Sequence, residues 1–329
     1  RRIKFRKPHS KNRESPRKYK LAIKKIVKMS DFIVFGGINM DLFAYLPRSP
    51  EEGETIEANS IEFFLGGKGA NQAVALARLG AKVSFVGTVG KDLFGQDLES
   101  LIERENVNIK NLSRKKGQSG VALINVLEDG RNEVVAFPGI NKNSKSKQVS
   151  NQELEACSIV IGTMELEEVE TSGLFKRAKQ KNFLTILNLA PYKEPSKLLL
   201  EQTDILVVNE TEFLGLLNKA PHSVDIDFID KNFSSLNIPS HVSVVITLGD
   251  SGVIAYAKGK RKYFKSRKVK AIDTVGAGDC FVGALGFSLS ENPDMFSAVK
   301  FANCAASLSV TKKGAAKSMP SYDEVVNKL

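Results

Sequence analysis

Long apolar runs are missing from this chain, and so are the usual marks of metal and disulfide chemistry. No stretch reaches the roughly 18 apolar residues that a membrane span needs. Cys157, Cys280 and Cys304 are odd in number, widely spaced and set among apolar neighbours. That excludes a disulfide framework or a zinc spacing and reads as buried thiols in a reducing compartment. His9, His222 and His241 show no pairing that suggests a metal site or a catalytic triad. The run Gly66-Gly67-Lys68-Gly69 is not a Walker phosphate loop, which needs Ser or Thr after the lysine. Gly36-Gly37-Ile38-Asn39 does not fit the dinucleotide fingerprint, which counts against a nicotinamide enzyme.

What is present is a chain of 329 residues, 42% apolar and 26% charged. This is the composition of a soluble globular protein, with length for two domains or one large α/β domain with an appendage. The net charge of +11 invites a nucleic-acid reading until it is located. Residues 1–28 hold thirteen Lys or Arg and one acid, a net of +12, which leaves the rest of the chain at −1. The body is therefore near neutral, and nucleic-acid binding is expected only through the tail, if at all. Residues 1–30, with Pro8, Ser10, Ser15 and Pro16 among the charges, read as a disordered basic tail. Met29-Ser30-Asp31 looks like a natural start, so the tail reads as a leader or a gene-assignment artefact. A nucleic-acid or membrane arm and an organelle-targeting presequence are the other readings. The expected location is cytoplasmic, with nuclear placement and organelle targeting left open.

From residue 32 onward short apolar stretches alternate with helical ones. Residues 32–37, 81–88, 159–163, 183–189, 204–209 and 242–248 read as strands. Residues 69–79, 94–104, 166–180 and 210–218 read as helices, and two long helices open near Ala277 and Asp294. Continuously apolar strands in this order imply a doubly wound α/β body over 31–329, a mostly parallel sheet with helices on both faces. Ligands of such sheets bind beyond the carboxyl ends of the strands. Two pieces break the alternation. Segments near 42–65 and 120–137, the second a hairpin turning at Glu128-Asp129-Gly130, read as a small separate β-sheet, either a lid over the site or an edge appendage. Residues 252–264 read as an antiparallel extension of the main sheet.

The unusual polar residues fall just after the strands. Asn39 and Asp41 suit paired hydrogen bonds to adjacent sugar hydroxyls, or are loop caps. Leu65-Gly66-Gly67-Lys68-Gly69-Ala70-Asn71-Gln72 leads straight into a helix and suits close approach of a polar ligand to the backbone. Met164-Glu165-Leu166-Glu167 and Asn209-Glu210-Thr211-Glu212 follow two later strands, the second also reading as a capping arrangement. Thr247-Leu248-Gly249-Asp250-Ser251-Gly252 is a glycine turn suited to a phosphate or a purine ring. The most informative stretch is 271–286. Gly276, Ala277, Gly278 and Asp279 open an apolar helix there, so their amides and the helix dipole favour an anion. The Asp279 carboxylate at its edge is either a base that takes a proton from whatever attacks a bound phosphate, or simply an N-cap.

These motifs, in this order, resemble the ribokinases of the phosphofructokinase B group of sugar kinases. Gly-Gly-Lys-Gly-Ala-Asn-Gln at 66–72 and Asp-Thr-Val-Gly-Ala-Gly-Asp at 273–279 are the two group signatures, and the likeness runs from about Asp31 to the C-terminus. It implies ATP-dependent phosphorylation of D-ribose at the 5-hydroxyl, with Asp279 as base, Gly276, Ala277 and Gly278 as anion hole, and magnesium on the phosphates. Asn39, Asp41, Gly67, Lys68, Gly69, Asn71 and Glu167, with Asp279, match positions around the sugar. Asn209, Thr247, Leu248, Gly249, Asp250, Ser251, Gly252, Gly278 and Asn303 match positions around the nucleotide.

The resemblance further implies a potassium site beside the anion hole, at Asp273, Val275, Ser309, Lys312, Gly314 and Ser318, mostly through backbone oxygens. It also implies a homodimer through the lid sheet and no membrane partner. The chain departs from the group in three places. Asn303 stands where other members carry His, Lys312 stands where Arg occurs, and Pro138-Gly139-Ile140-Asn141 is a loose match to a Gly-Ala-Asn loop. The alternatives are a sibling kinase for another sugar or a nucleoside, and a non-catalytic sugar or nucleotide sensor. The intact Asp279 and anion hole argue against the sensor.

Overall fold

A computed structural model describes residues 31–128, 131–220 and 223–329. The basic tail with His9, the Asp129-Gly130 turn and His222 lie outside the described residues. The strands, numbered along the chain, are β1 (Asp31–Phe35), β2 (Asn39–Leu46), β3 (Ser60–Gly66), β4 (Lys82–Gly90), β5 (Asn108–Lys115), β6 (Gly120–Leu127) and β7 (Asn132–Phe137). They continue with β8 (Cys157–Thr163), β9 (Leu184–Asn188), β10 (Ile205–Asn209), β11 (Ser243–Thr247), β12 (Val253–Ala257) and β13 (Lys260–Phe264). The longer helices are α1 (Lys68–Arg78), α2 (Leu93–Arg104), α3 (Glu168–Lys179), α4 (Glu210–Leu216), α5 (Ala277–Glu291) and α6 (Met295–Ser309).

Apolar residues at successive strand positions need cover on both faces, and the fold supplies it. Phe32 and Val34 of β1 enter the core shared with α1, α5 and α6, while Ile33 and Phe35 enter the core shared with α3 and α4. The main sheet has the order β13-β12-β11-β10-β9-β8-β1-β4-β5. Its pairings are parallel except at the β11-β12-β13 end, where the 252–264 segment adds its antiparallel hairpin. The chain winds outward from β1 to β4 and β5 on one side and from β8 to β13 on the other. A crevice therefore opens between β1 and β8, at the carboxyl ends of the strands. The half-polar edge strand β5 was not apparent in the sequence, because Asn-Ile-Lys-Asn-Leu-Ser-Arg-Lys lacks a continuous apolar run.

The small sheet has the order β3-β2-β6-β7. Asn39 and Asp41 lie inside β2, so they are strand residues and not loop caps. Alternation gives this sheet two unlike faces. Phe43, Tyr45, Phe64, Ala122 and Ile124 pack together with Val275 of the main body. Leu42, Phe63, Leu123 and Val135 align on the other face, and the last three are 56%, 49% and 66% exposed. All three cysteines are buried. Among the described residues no helix is long and apolar enough to cross a membrane.

Candidate active site

The crevice is built where α1 meets the end of β1. A Cβ on Gly69 would lie 2.5 Å from Gly36 Cα, so only glycine lets the helix start touch the strand end. The amides exposed there bind a carboxylate. Glu165, just past β8, accepts hydrogen bonds from Gly37 N at 2.7 Å, Lys68 N at 2.9 Å and Gly69 N at 3.1 Å, and from Thr163 Oγ1 at 3.0 Å. This corrects the sequence expectation for Glu167. The chain turns directly after Thr163, so the carboxylate two residues past the strand makes these bonds, while Glu167 stands solvent-exposed as the N-cap of α3.

Asp279 stands in the first turn of α5 and is 6% exposed. It is not the cap of that helix. Gly276 holds the N-cap position at φ 79°, and a Cβ there would lie 2.9 Å from Ala315 Cβ. The Asp279 carboxylate instead accepts from α1: Asn71 Nδ2 donates to Oδ2 at 2.9 Å and Gln72 Nε2 to Oδ1 at 3.0 Å. Burial pushes its pKa above the ordinary carboxylate value, against the Lys68 ammonium and the bonds from Asn71 and Gln72. Lys68 is held above its ordinary value, chiefly by Asp279. The amides of Gly276, Gly278 and Asp279 have no hydrogen-bond partner among the described residues, whereas Ala277 N turns back to Thr274 O at 3.3 Å. The turn therefore offers three free amides, and Ala277, expected among the anion-hole residues, is not one of them.

On one side of Asp279 the crevice is lined by the small sheet. Asn39 Oδ1 accepts from Asn141 Nδ2 at 2.8 Å, and Asn141 also bonds both Ile38 N and Ile38 O. The loosely matching 138–141 segment thus places a buried Asn beside Asn39. Asp41 is 6% exposed, and burial, then the charges of Glu165 and Asp279, push its pKa up to about 7. Its Oδ1 has no partner, and neither have Asn71 Oδ1 and Gln72 Oε1. The unpaired buried acceptors of Asp41 and Asn71 suit a ligand that brings several hydroxyls.

On the other side a cavity of about 100 Å³ joins Asp279, Gly276, Gly278 and Lys68 to Asn209, Glu212 and Thr247. Asn209 and Glu212 form a true capping box on α4 and line this cavity at once. The sequence places Glu212 in a capping arrangement and gives it no ligand role. Burial pushes its carboxyl up to about 7, against the Asn209 amide and Lys68. A larger hollow of about 580 Å³ lies beyond, between Gly249, Asp250, Thr274, Ala277 and Asn303, with Lys265 and Arg267 on its wall. Three expected nucleotide residues, Leu248, Ser251 and Gly252, line neither cavity. Leu248 is buried in the core, Gly252 closes the turn by accepting Leu248 N at 2.8 Å, and Ser251 lines a separate hollow with Tyr263.

Behind the anion hole, Asp273 ties two loops together, accepting Val275 N at 2.9 Å and Gly314 N at 2.8 Å. Ser309 O accepts Lys312 N, and Ser318 Oγ donates to Ala315 O at 2.8 Å. The Lys312 side chain leaves this group for Glu324, at 2.7 Å. The described residues contain no cluster of His, Cys, Asp and Glu suited to a metal ion.

Comparison with known proteins places the fold. A profile described as "pfkB family carbohydrate kinase" matches residues 29–322. A ribokinase of Schizosaccharomyces pombe is 36% identical over 312 residues, covering 90% of this chain and 97% of that protein. A ribokinase of Haemophilus influenzae is 34% identical over 300 residues, with the same coverage of 90% and 97%. The solved structure of Arabidopsis thaliana ribokinase complexed with ribose and ATP superposes with a TM-score of 0.80 at 27% identity, covering 91% of this chain and 98% of that one.

The raised Asp41 carboxyl makes a stability difference that depends on pH. Below about pH 4 the folded and unfolded chains both carry its proton. Between there and about 7 the unfolded chain ionises while the folded carboxyl keeps the proton, so stability is lost as pH rises through that window. Asp41→Asn removes the effect. In urea unfolding the variant is expected to exceed the parent by on the order of 2–4 kcal/mol at pH 8, with the gap closing towards pH 4. A parent as stable as the variant at pH 8 contradicts the burial of an unpaired carboxyl.

Proposed function

The chain belongs to the pfkB family of carbohydrate kinases, and from that premise we propose that it transfers the γ-phosphoryl group of ATP to the 5-hydroxyl of D-ribose. One observation carries the reading: a buried carboxylate, Asp279, lies between three unpaired amides and a cluster of unpaired buried acceptors. The acceptors of Asp41 and Asn71, with Asn39 and Lys68, bind the sugar hydroxyls. Glu165 holds the Lys68–Gly69 backbone in place and so shapes this pocket. The adenosine part of ATP occupies the larger hollow, and its phosphates run past Ala277 to Asn209 and Thr247. As the sugar oxygen attacks, Asp279 accepts its proton and the amides of Gly276, Gly278 and Asp279 stabilise the charge that develops on the transferred group. The small sheet acts as a lid that excludes water, the competing acceptor.

Two ions fit the residues present. Glu212 lines the phosphate cavity as a buried carboxylate whose charge is opposed only by Lys68 and the Asn209 bonds, so it and the phosphates would hold Mg²⁺, which neutralises phosphate charge. The backbone around Asp273, with Val275, Ser309, Gly314 and Ser318, supplies oxygens rather than a carboxylate cluster. That donor type suits K⁺, which would brace the anion-hole turn from behind. The exposed face of Phe63, Leu123 and Val135 is an apolar stripe that a second copy of the small sheet would cover.

Each part has its own test. With D-ribose, Asp279→Asn is expected to lower kcat by roughly a hundredfold to ten-thousandfold with nucleotide binding kept. Near-normal turnover removes the base, and faster turnover of 2-deoxyribose, fructose or adenosine than of ribose moves the assignment to a sibling kinase. Rates in potassium are expected to exceed those in sodium or a bulky organic cation at equal ionic strength, and Asp273→Ala to erase the difference. Equal rates in all three salts remove the cation site. Phe63→Lys is expected to convert a sedimenting dimer to a monomer, and an unchanged sedimentation coefficient for parent and variant removes the dimer through this face.

A further inference from the structure

Gln72 is fully buried, yet neither the sugar nor the nucleotide cavity needs it. Its amide nitrogen has two hydrogens and both are used: one goes to Asp279 Oδ1 and the other to Asn188 Oδ1, each at 3.0 Å. Its own Oε1 is buried with no donor. An unpaired buried carbonyl is costly, so the orientation of this amide is set by its two nitrogen donors and not by its oxygen. Turning the amide over would set two oxygens, Oε1 and the Asp279 carboxylate, against each other. Asn188, at the end of β9, fixes which way Gln72 points, and Gln72 fixes the carboxylate.

We infer that Gln72 and Asn188 form a positioning relay for the base: Asn188 orients Gln72, and Gln72 with Asn71 clamps one oxygen each of the Asp279 carboxylate and keeps it ionised for proton abstraction. The inference rests on the reading of Asp279 as base. The charged groups facing Asp279 are Lys68 from α1, Glu165 from the turn after β8, Glu212 from α4 and Asp41 from β2. Three of those four are acids, and burial also favours the protonated form, so Lys68 and the amide donors stand against all of them. A carboxylate stripped of one donor keeps its proton to a higher pH. The competing view is that Gln72 merely ties α1 to α5, which would change stability and leave the pH profile alone.

The test is the pH dependence of kcat with D-ribose for the parent and for Gln72→Met, Asn188→Ala, the double variant and Asp279→Asn. In Gln72→Met, kcat is expected to fall about 10- to 100-fold, and the acidic limb of kcat to move up by about half to one pH unit. The ribose KM and the dissociation constant for ADP should stay within about twofold, because neither ligand touches Gln72. Asn188→Ala should shift the limb in the same direction by less, and the double variant should be no worse than Gln72→Met alone, since both act through one bond. An unmoved acidic limb in folded Gln72→Met, or additive losses in the double variant, overturns the relay. Asn188 also lines the phosphate cavity, so if Gln72→Met does not fold, Asn188→Ala is read together with its ADP dissociation constant: a limb that stays in place, or one that moves only with a weakened ADP affinity, overturns the relay. Asp279→Asn separates the two readings, because activity retained in that variant removes the base itself, while an inactive Asp279→Asn with an unmoved Gln72→Met limb removes only the relay.

Discussion

The structure turns on a carboxylate that is buried and must nevertheless be charged. Asp279 sits in low-dielectric surroundings with three other acids facing it, and in its proposed role as base it works only if its ionised form is held. Lys68, Asn71 and Gln72 hold it, and all three come from the first two turns of one helix. The placement of α1 against β1 and α5 is thus the condition for the chemistry. That placement depends on glycines, because Gly36 and Gly69 meet at a distance that leaves no room for a side chain.

The same principle explains why the site is unstable as it stands. Asp41, Asn71 and Gln72 each carry a buried oxygen without a partner, and Asp41 and Glu212 both hold their protons far above the ordinary carboxylate range. A core selected for stability alone would not keep these groups. A site that receives a polyhydroxylated ligand on one side and a charged phosphate chain on the other has a use for Asp41, Asn71 and Glu212, while Gln72 serves through its nitrogen on Asp279. The small sheet completes the arrangement by facing Asp41 into the crevice and turning its opposite, apolar face outward.

Much of this was legible in the sequence, for definite reasons. Apolar strand runs announce a doubly wound sheet because burial on both faces leaves no alternation, and glycines before a helix announce backbone approach. What was missed lay where one-dimensional spacing is ambiguous. Glu165 and Glu167 differ by two positions, and only the turn after Thr163 decides which enters the crevice. Ala277 reads as an anion-hole residue until its amide is seen to bend back to Thr274. Leu248, Ser251 and Gly252 lie in the expected turn, but the turn faces its neighbours differently from residue to residue. Gln72 gave no signal of its own, since a polar residue in a helix start has an ordinary explanation until its partner across 207 positions of sequence is known, and the Glu212 capping box gave no sign that it also lines a cavity.

The central claim is that Asp279 and the amides beside it direct a phosphoryl group from ATP onto the primary hydroxyl of ribose. Phosphorus NMR of the reaction with D-ribose tests this most directly, because the splitting of the product signal reports which carbon carries the ester. Formation of ADP together with an equimolar phosphomonoester coupled to the two protons of a CH₂ group is the expected result. ADP formed with free phosphate alone, or an ester coupled to a single anomeric proton, contradicts it.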